Sequence, residues 1–93
     1  MTPTELYLHF GLDAQNLSSH NARNASKKHA VRQALFNVAK MSDEEIATVE
    51  GLILGRRRDR TTVYYSLHRA KPSYHMKKLL ADARRLAKNV RFG

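Results

Sequence analysis

A chain of 93 residues has room for one domain with a small core, so nearly every apolar position must be committed to packing. Seventeen Lys and Arg against eight Asp and Glu give a formal charge of +9, which repels itself in a folded molecule unless a polyanion or an anionic surface offsets it. The lack of cysteine excludes disulfides, zinc ribbons and thiol chemistry, and no stretch reaches the roughly 18 apolar residues of a membrane span.

The opening residues, Met1-Thr2-Pro3-Thr4-Glu5, lack the basic cluster and apolar run of a signal peptide, so a cytoplasmic location is expected. They read instead as a helix start, with Thr2 as cap, Pro3 at the first helical position and Glu5 closing a capping box. That helix should bury Leu6 and Phe10 and stop at Gly11, with a short turn of helix over Asp13 to Leu17. Ser18 to Asn24 is rich in turn formers and reads as a loop. Ser26 is the expected cap of a longer helix reaching about Lys40, with Val31, Ala34, Leu35, Val38 and Ala39 on its apolar side. Ser42-Asp43-Glu44-Glu45 is a second capping box, opening a helix that carries Ile46, Val49 and Ile53 on one face and ends at Gly55.

Asp59 is the natural cap of the next helix, which turns Val63, Leu67 and Ala70 inward and stops at Pro72. Ser73 should cap a last helix to about Asn89. Its apolar side is Met76, Leu79, Leu80, Ala83, Leu86 and Ala87; its other side is Lys77, Lys78, Arg84, Arg85 and Lys88. With two prolines, four glycines and no segment of clean period two, an all-α bundle of five or six helices is the expected fold.

Charge is unevenly placed. Asp43, Glu44, Glu45 and Glu50 are half of the acids and share one helix, where the first three favour the helix dipole. Basic residues gather around two expected helix starts: Arg23, Lys27, Lys28 and Arg32 at one, Arg56, Arg57, Arg58 and Arg60 at the other. A helix start already carries free N–H groups and partial positive charge, so arginines there cost stability until an anion arrives. A nucleic-acid phosphate supplies one.

Helix 43–54, the Gly55 turn and the helix after Asp59 have the order and lengths of a helix-turn-helix. In that geometry the second helix enters the major groove of DNA, and here its first residues are Arg60, Thr61, Thr62, Tyr64 and Tyr65. Arg can donate two hydrogen bonds to guanine, and Thr offers a hydroxyl and a methyl to base edges. Adjacent tyrosines leave a helix in different directions, so one of Tyr64 and Tyr65 should be half-buried and the other near phosphate.

Gly55-Arg56-Arg57-Arg58-Asp59-Arg60-Thr61-Thr62-Val63 resembles the Gly-Arg-Asp-His-(Ser/Thr)-Thr-Val signature of the C-terminal DNA-binding domain of the bacterial replication initiator DnaA. Upstream, Leu8-His9-Phe10 through Leu17 resembles that domain's opening helices, and Arg32-Gln33-Ala34 resembles its long central helix. Residues 5–71 are covered, with the specific part confined to 55–63. The resemblance implies an all-helical domain with a Trp-repressor-like helix-turn-helix. It would read a short duplex element through the recognition helix and reach the adjacent minor groove with a basic loop, which maps onto Arg23 to Lys28. Arg58, Asp59, Thr61, Thr62 and Val63 match the signature. Arg60 stands where the family has a base-reading His, Tyr65 where a second His is common, and the turn is one residue longer. The family's ATPase has no counterpart: Gly51-Leu52-Ile53-Leu54-Gly55-Arg56 lacks the Gly-Lys-(Ser/Thr) ending of a phosphate loop.

The five histidines include no pair at metal-binding spacing on one helix, and nothing resembles a catalytic triad or paired acids. No metal, cofactor or enzymatic activity is expected. The expected function is sequence-preferring binding of double-stranded DNA by a stand-alone regulator of transcription or replication, of the kind a phage or mobile element carries. Arg58, Arg60, Thr61 and Thr62 are assigned to the major groove, with Tyr65 beside them. Arg56, Arg57, Lys27, Lys28 and Arg32 are assigned to phosphate and Arg23 to the minor groove. No membrane partner is expected, and with no heptad seam visible the oligomeric state stays open between monomer and weak dimer. The alternative is an interaction protein that binds a replication initiator or another partner through its last helix, 73–90. Stacking of the tyrosines on bases would instead favour RNA or single strands.

Overall fold

A computed structural model describes residues 1–69 and 74–91, and every element in them is helical. Helix α1 (Pro3–His9) starts on a reciprocal cap: Thr2 Oγ1 accepts from the Glu5 amide and Glu5 Oε1 from the Thr2 amide, both at 3.1 Å. After α1 the chain reverses at Gly11, whose φ of +74° suits glycine. Leu6 is buried as expected, but its buried companion is Tyr7, and Phe10 is only half-buried. Helix α2 (Ala14–Ser18) is capped by Asp13 and buries Leu17.

Helix α3 (Ala22–Asn37) begins earlier than expected. Asn21 takes the cap, accepting the Asn24 amide at 2.8 Å, so Ser26 lies inside the helix. The other end also moves: α3 stops at Asn37 and the chain turns through Lys40 in the left-handed region, φ +61°. For a non-glycine residue that costs about 1 kcal/mol. The turn is held where the Met41 amide donates to the Leu35 carbonyl at 3.0 Å.

Helix α4 (Asp43–Leu54) follows the sequence residue for residue. Ser42 and Glu45 exchange hydrogen bonds of 3.1 and 3.0 Å, and Gly55 closes the helix at φ +71°. Helix α5 (Arg60–Arg69) starts where Asp59 accepts the Thr61 amide at 2.8 Å, and it turns Val63 and Leu67 inward. Helix α6 (Tyr74–Ala87) ends slightly before the expected Asn89. The expected burial of Ala70, stop at Pro72 and cap at Ser73 fall outside the described residues.

The longest helix, α3, touches all five others and most extensively α6. Ala30, Val31, Ala34 and Leu35 of α3 form the centre of the core, with Leu6, Leu12, Leu17, Ile46 and Val63 around them. Met76, Ala83 and Ala87 of α6 are buried, while Lys77, Lys78, Arg84, Arg85 and Lys88 are exposed. The amphipathic stripe of α6 is therefore spent on the domain itself. Near the ends, the Arg91 amide donates to the Met1 carbonyl at 2.9 Å. None of the helices among the described residues is long and apolar enough to cross a membrane.

Candidate functional site

Turn 55–59 sits tightly on α4. The Arg56 amide donates to the Gly51 carbonyl at 3.2 Å, and a Cβ at Gly51 would stand 3.0 Å from the Arg56 carbonyl oxygen. This close approach fixes the path of the arginines before α5. From that turn Arg56, Arg57, Arg60, Thr61 and Thr62 are all exposed. None of these is needed to hold the core.

Arg32 is a correction to the sequence reading. It is 4 % exposed and bonded side-on to Glu50, with Nε donating to Oε2 at 2.6 Å and Nη2 to Oε1 at 2.7 Å. Tyr7 donates its hydroxyl to Glu50 Oε2 at 2.5 Å. Arg32 therefore belongs to the core and is not available to a phosphate. Burial opposes the Arg32 charge most, but the hydrogen bonds and charge of Glu50 outweigh it and raise its pKa further. The Tyr7 hydroxyl is pushed well above its ordinary value by burial and then by the Glu50 charge, so it stays a donor.

Arg58 is the second correction. Its side chain is only 18 % exposed, and Nε lies 3.2 Å from Glu50 Oε1 without the alignment of a hydrogen bond. Its Nη2 points to the Leu17 carbonyl at 3.5 Å. Drawn inward like this, the guanidinium does not stand on the outer face of α5 with base edges in reach. Its expected place in the major groove is not supported by this geometry.

Lys28 comes to meet Arg58. Because α3 starts early, Lys27 and Lys28 lie in its second turn, not around its start, and Lys28 Nζ donates to the Ser19 carbonyl at 2.5 Å. Lys28, Arg56, Arg58 and Thr62 line one cleft, whose other wall is Ser18 to His20 and whose floor includes His29. Burial, then Arg32 and Arg58, lower the pKa of Lys28. His29 is half-buried, shares a hydrogen bond with Ser66 Oγ of α5, and is held below its ordinary pKa by burial and by Arg32 and Lys28. Two cationic segments far apart in sequence thus converge on one side of α5.

Thr61 faces away from that cleft. It borders a hollow with Asp43, Arg60, Tyr64 and Tyr65. Tyr64 and Tyr65 are 45 % and 46 % exposed, so the expected difference in burial between them is absent: Tyr64 leans on His68, 4.4 Å between ring centres, and Tyr65 lies under the Arg69 guanidinium at 4.7 Å. Arg60 reaches Glu44 only at 3.9 Å with both side chains largely exposed, a pair worth little. Arg23 is exposed on the first turn of α3 and lines neither hollow.

The sequence reading missed Glu50 and Tyr7. The signal for Glu50 was its register: it lies four residues after Ile46 and three before Ile53, on the buried side of α4. No protein-family model matches the chain, and neither a curated protein nor a solved structure does.

Proposed function

We propose that this chain is a duplex DNA-binding module, a stand-alone regulator of transcription or replication and not an enzyme. In this reading α4, turn 55–59 and α5 act as a helix-turn-helix of the DnaA C-terminal type, with α5 in the major groove. The observation that carries it is the exposed first turn of α5, which presents Arg60 and Thr61 on one side and Thr62 on the other, in the cleft that joins Lys28 to Arg56 and Arg58. Exposed side chains on a rigid helix can meet base edges, and flanking cations hold the phosphates that set register. Arg60 and Thr61, with Tyr65, take the bases; Arg56, Arg57, Lys27 and Lys28 take phosphate; Arg23 takes the minor groove. Arg58 and Thr62 both move from bases to phosphate, Arg58 because Glu50 draws it inward and Thr62 because it lines the cleft with Lys28 and Arg56.

The alternative partner surface, helix 73–90, packs Met76, Ala83 and Ala87 into the core, and its exposed described side chains are mainly basic. Among its described residues no large apolar side chain is exposed, so the duplex reading is preferred. Selection of bound duplexes from a random pool tests it. The expected result is a short enriched element. A pool that stays random, together with no retention of any duplex at low salt, removes the reading.

A further inference from the structure

The cleft beside α5 holds more positive charge than the fold can use. Lys28, Arg32, Arg56 and Arg58 surround it, and the carboxylate set against them is Glu50. That carboxylate is fully buried and already accepts from Arg32 and Tyr7, so it neutralises the inner end of the cluster and not its mouth. The cations are supplied by α3 and by turn 55–59, so helical periodicity does not account for their meeting. Like charges brought together in a half-buried cleft repel, and Lys28, whose pKa is lowered first by burial, is lowered further by Arg32 and Arg58.

Two of these cations are also held in place. Lys28 Nζ is tethered to the Ser19 carbonyl, and Arg58 is oriented by Glu50 and the Leu17 carbonyl. Arg58 spends one long hydrogen bond on the protein and keeps most of its five donors unused. Thr62 adds a hydroxyl from α5. We propose that this cleft is a seat for one phosphoryl group, gripped by Lys28, Arg56, Arg58 and the Thr62 hydroxyl. Glu50 and Tyr7 are positioning residues that aim Arg58. The shape suits a tetrahedral oxyanion because donors converge from two walls and from α5.

A duplex phosphate is the source if the proposed function holds, and a free phosphate is the other; the inference rests on that function only in naming DNA. The first arm is a titration of the whole protein with inorganic phosphate at constant ionic strength, followed by NMR at His29, Thr62 and the arginine side chains. The expected result is a saturable change confined to the cleft and an upward move of the His29 titration, since an anion beside it favours the imidazolium. Lys28→Gln with Arg56→Gln, both outside the core, should abolish it. The second arm replaces single phosphates of a selected duplex by neutral methylphosphonates. One replacement should weaken binding about tenfold in the wild type and clearly less in Lys28→Gln, which keeps Arg56, Arg58 and Thr62 in the seat. A response in the first arm alone assigns the seat to free phosphate and leaves duplex binding to be judged separately. No cleft response to phosphate beyond that to chloride, with every methylphosphonate equally felt by wild type and Lys28→Gln, overturns the seat even if the duplex still binds.

Discussion

Arg32 and Glu50, 18 residues apart on α3 and α4, meet side-on inside the domain through two hydrogen bonds of 2.6 and 2.7 Å. The pair ties together the helix that organises the core and the helix that supports turn 55–59. Because Arg58 leans on the same carboxylate from outside, one buried acid sits between the packing of the bundle and the posture of a surface arginine.

Removing that acid should therefore do two things. Glu50→Ala leaves the Arg32 guanidinium and the Tyr7 hydroxyl buried without their acceptor, at a cost of about 3–5 kcal/mol. In a domain this small the loss approaches the whole stability. Urea unfolding should show the midpoint collapse. Replacing Arg32 and Glu50 together by Met and Leu should recover much of it, and an equally damaged double variant would contradict this account of the pair.

Acid should weaken the fold in two stages. His29 is held below its ordinary value of 6.5, by burial first and then by Arg32 and Lys28, so the fold prefers the neutral ring. A depressed folded pKa gives a contribution that is complete above 6.5 and is lost as pH falls through the folded value. Glu50 follows: burial is its largest influence and raises its pKa, but the Arg32 bonds and charge, the Tyr7 bond and the Arg58 charge together bring it below 4.5. Its contribution is complete above 4.5 and disappears as pH falls further. Unfolding midpoints measured from about pH 7 to pH 5 should decline, and His29→Gln should flatten that decline while leaving the steeper loss at lower pH.

The two threonines should separate functionally, because they face different ways. Thr61 lies with Arg60, Tyr64 and Tyr65, and Thr62 with Lys28, Arg56 and Arg58. Thr61→Ala should relax base preference at one position by about 1–3 kcal/mol of discrimination. Thr62→Ala should weaken all duplexes alike. With about six phosphates contacted, affinity should fall with salt at a log–log slope near −5, and Lys28→Gln should make the slope shallower by about one. Filter binding across a salt series with matched and mismatched duplexes reads all three, and a base-specific effect of Lys28→Gln would contradict its assignment.

What the sequence disclosed and what it hid differ in range. The Ser42–Glu45 capping box, the Gly55 stop and the Asp59 cap are local patterns whose partners lie within a turn, so α4 and the start of α5 were legible to the residue. Asn21 competes with Ser26 for one helix start, and both are good caps; the structure uses Asn21, which accepts the Asn24 amide, and leaves Ser26 inside the helix. Arg32 read as one more surface cation because its partner is 18 residues away, and pairing at that range depends on how α3 and α4 cross. Convergence of Lys28 on Arg58 was hidden for the same reason. Exposure of Thr61 and Thr62 was legible, since Val63 and Leu67 define the opposite side of α5.

Gly51 offers the sharpest test of how the turn is held. In an ordinary helix interior, Gly→Ala stabilises by about 1 kcal/mol, because alanine loses less backbone freedom on folding. At Gly51 the added methyl would meet the Arg56 carbonyl oxygen at 3.0 Å and the Arg58 amide nitrogen at 3.4 Å, both backbone atoms with no rotamer to yield. The turn must give by a few tenths of an ångström, which strains the hydrogen bond from the Arg56 amide to the Gly51 carbonyl and the seating of Arg58 against Glu50. Gly51→Ala should therefore lower stability instead of raising it. Gly55→Ala is a useful contrast: its Cβ meets nothing within 4 Å, so its cost is only the left-handed backbone, about 1–2 kcal/mol. If the turn positions the phosphate-binding arginines, Gly51→Ala should lose duplex affinity beyond its loss of stability, whereas Gly55→Ala should lose stability with affinity closer to wild type. Equal affinity losses in the two variants, measured where both are fully folded, would mean that the close approach at Gly51 has no part in presenting the arginines.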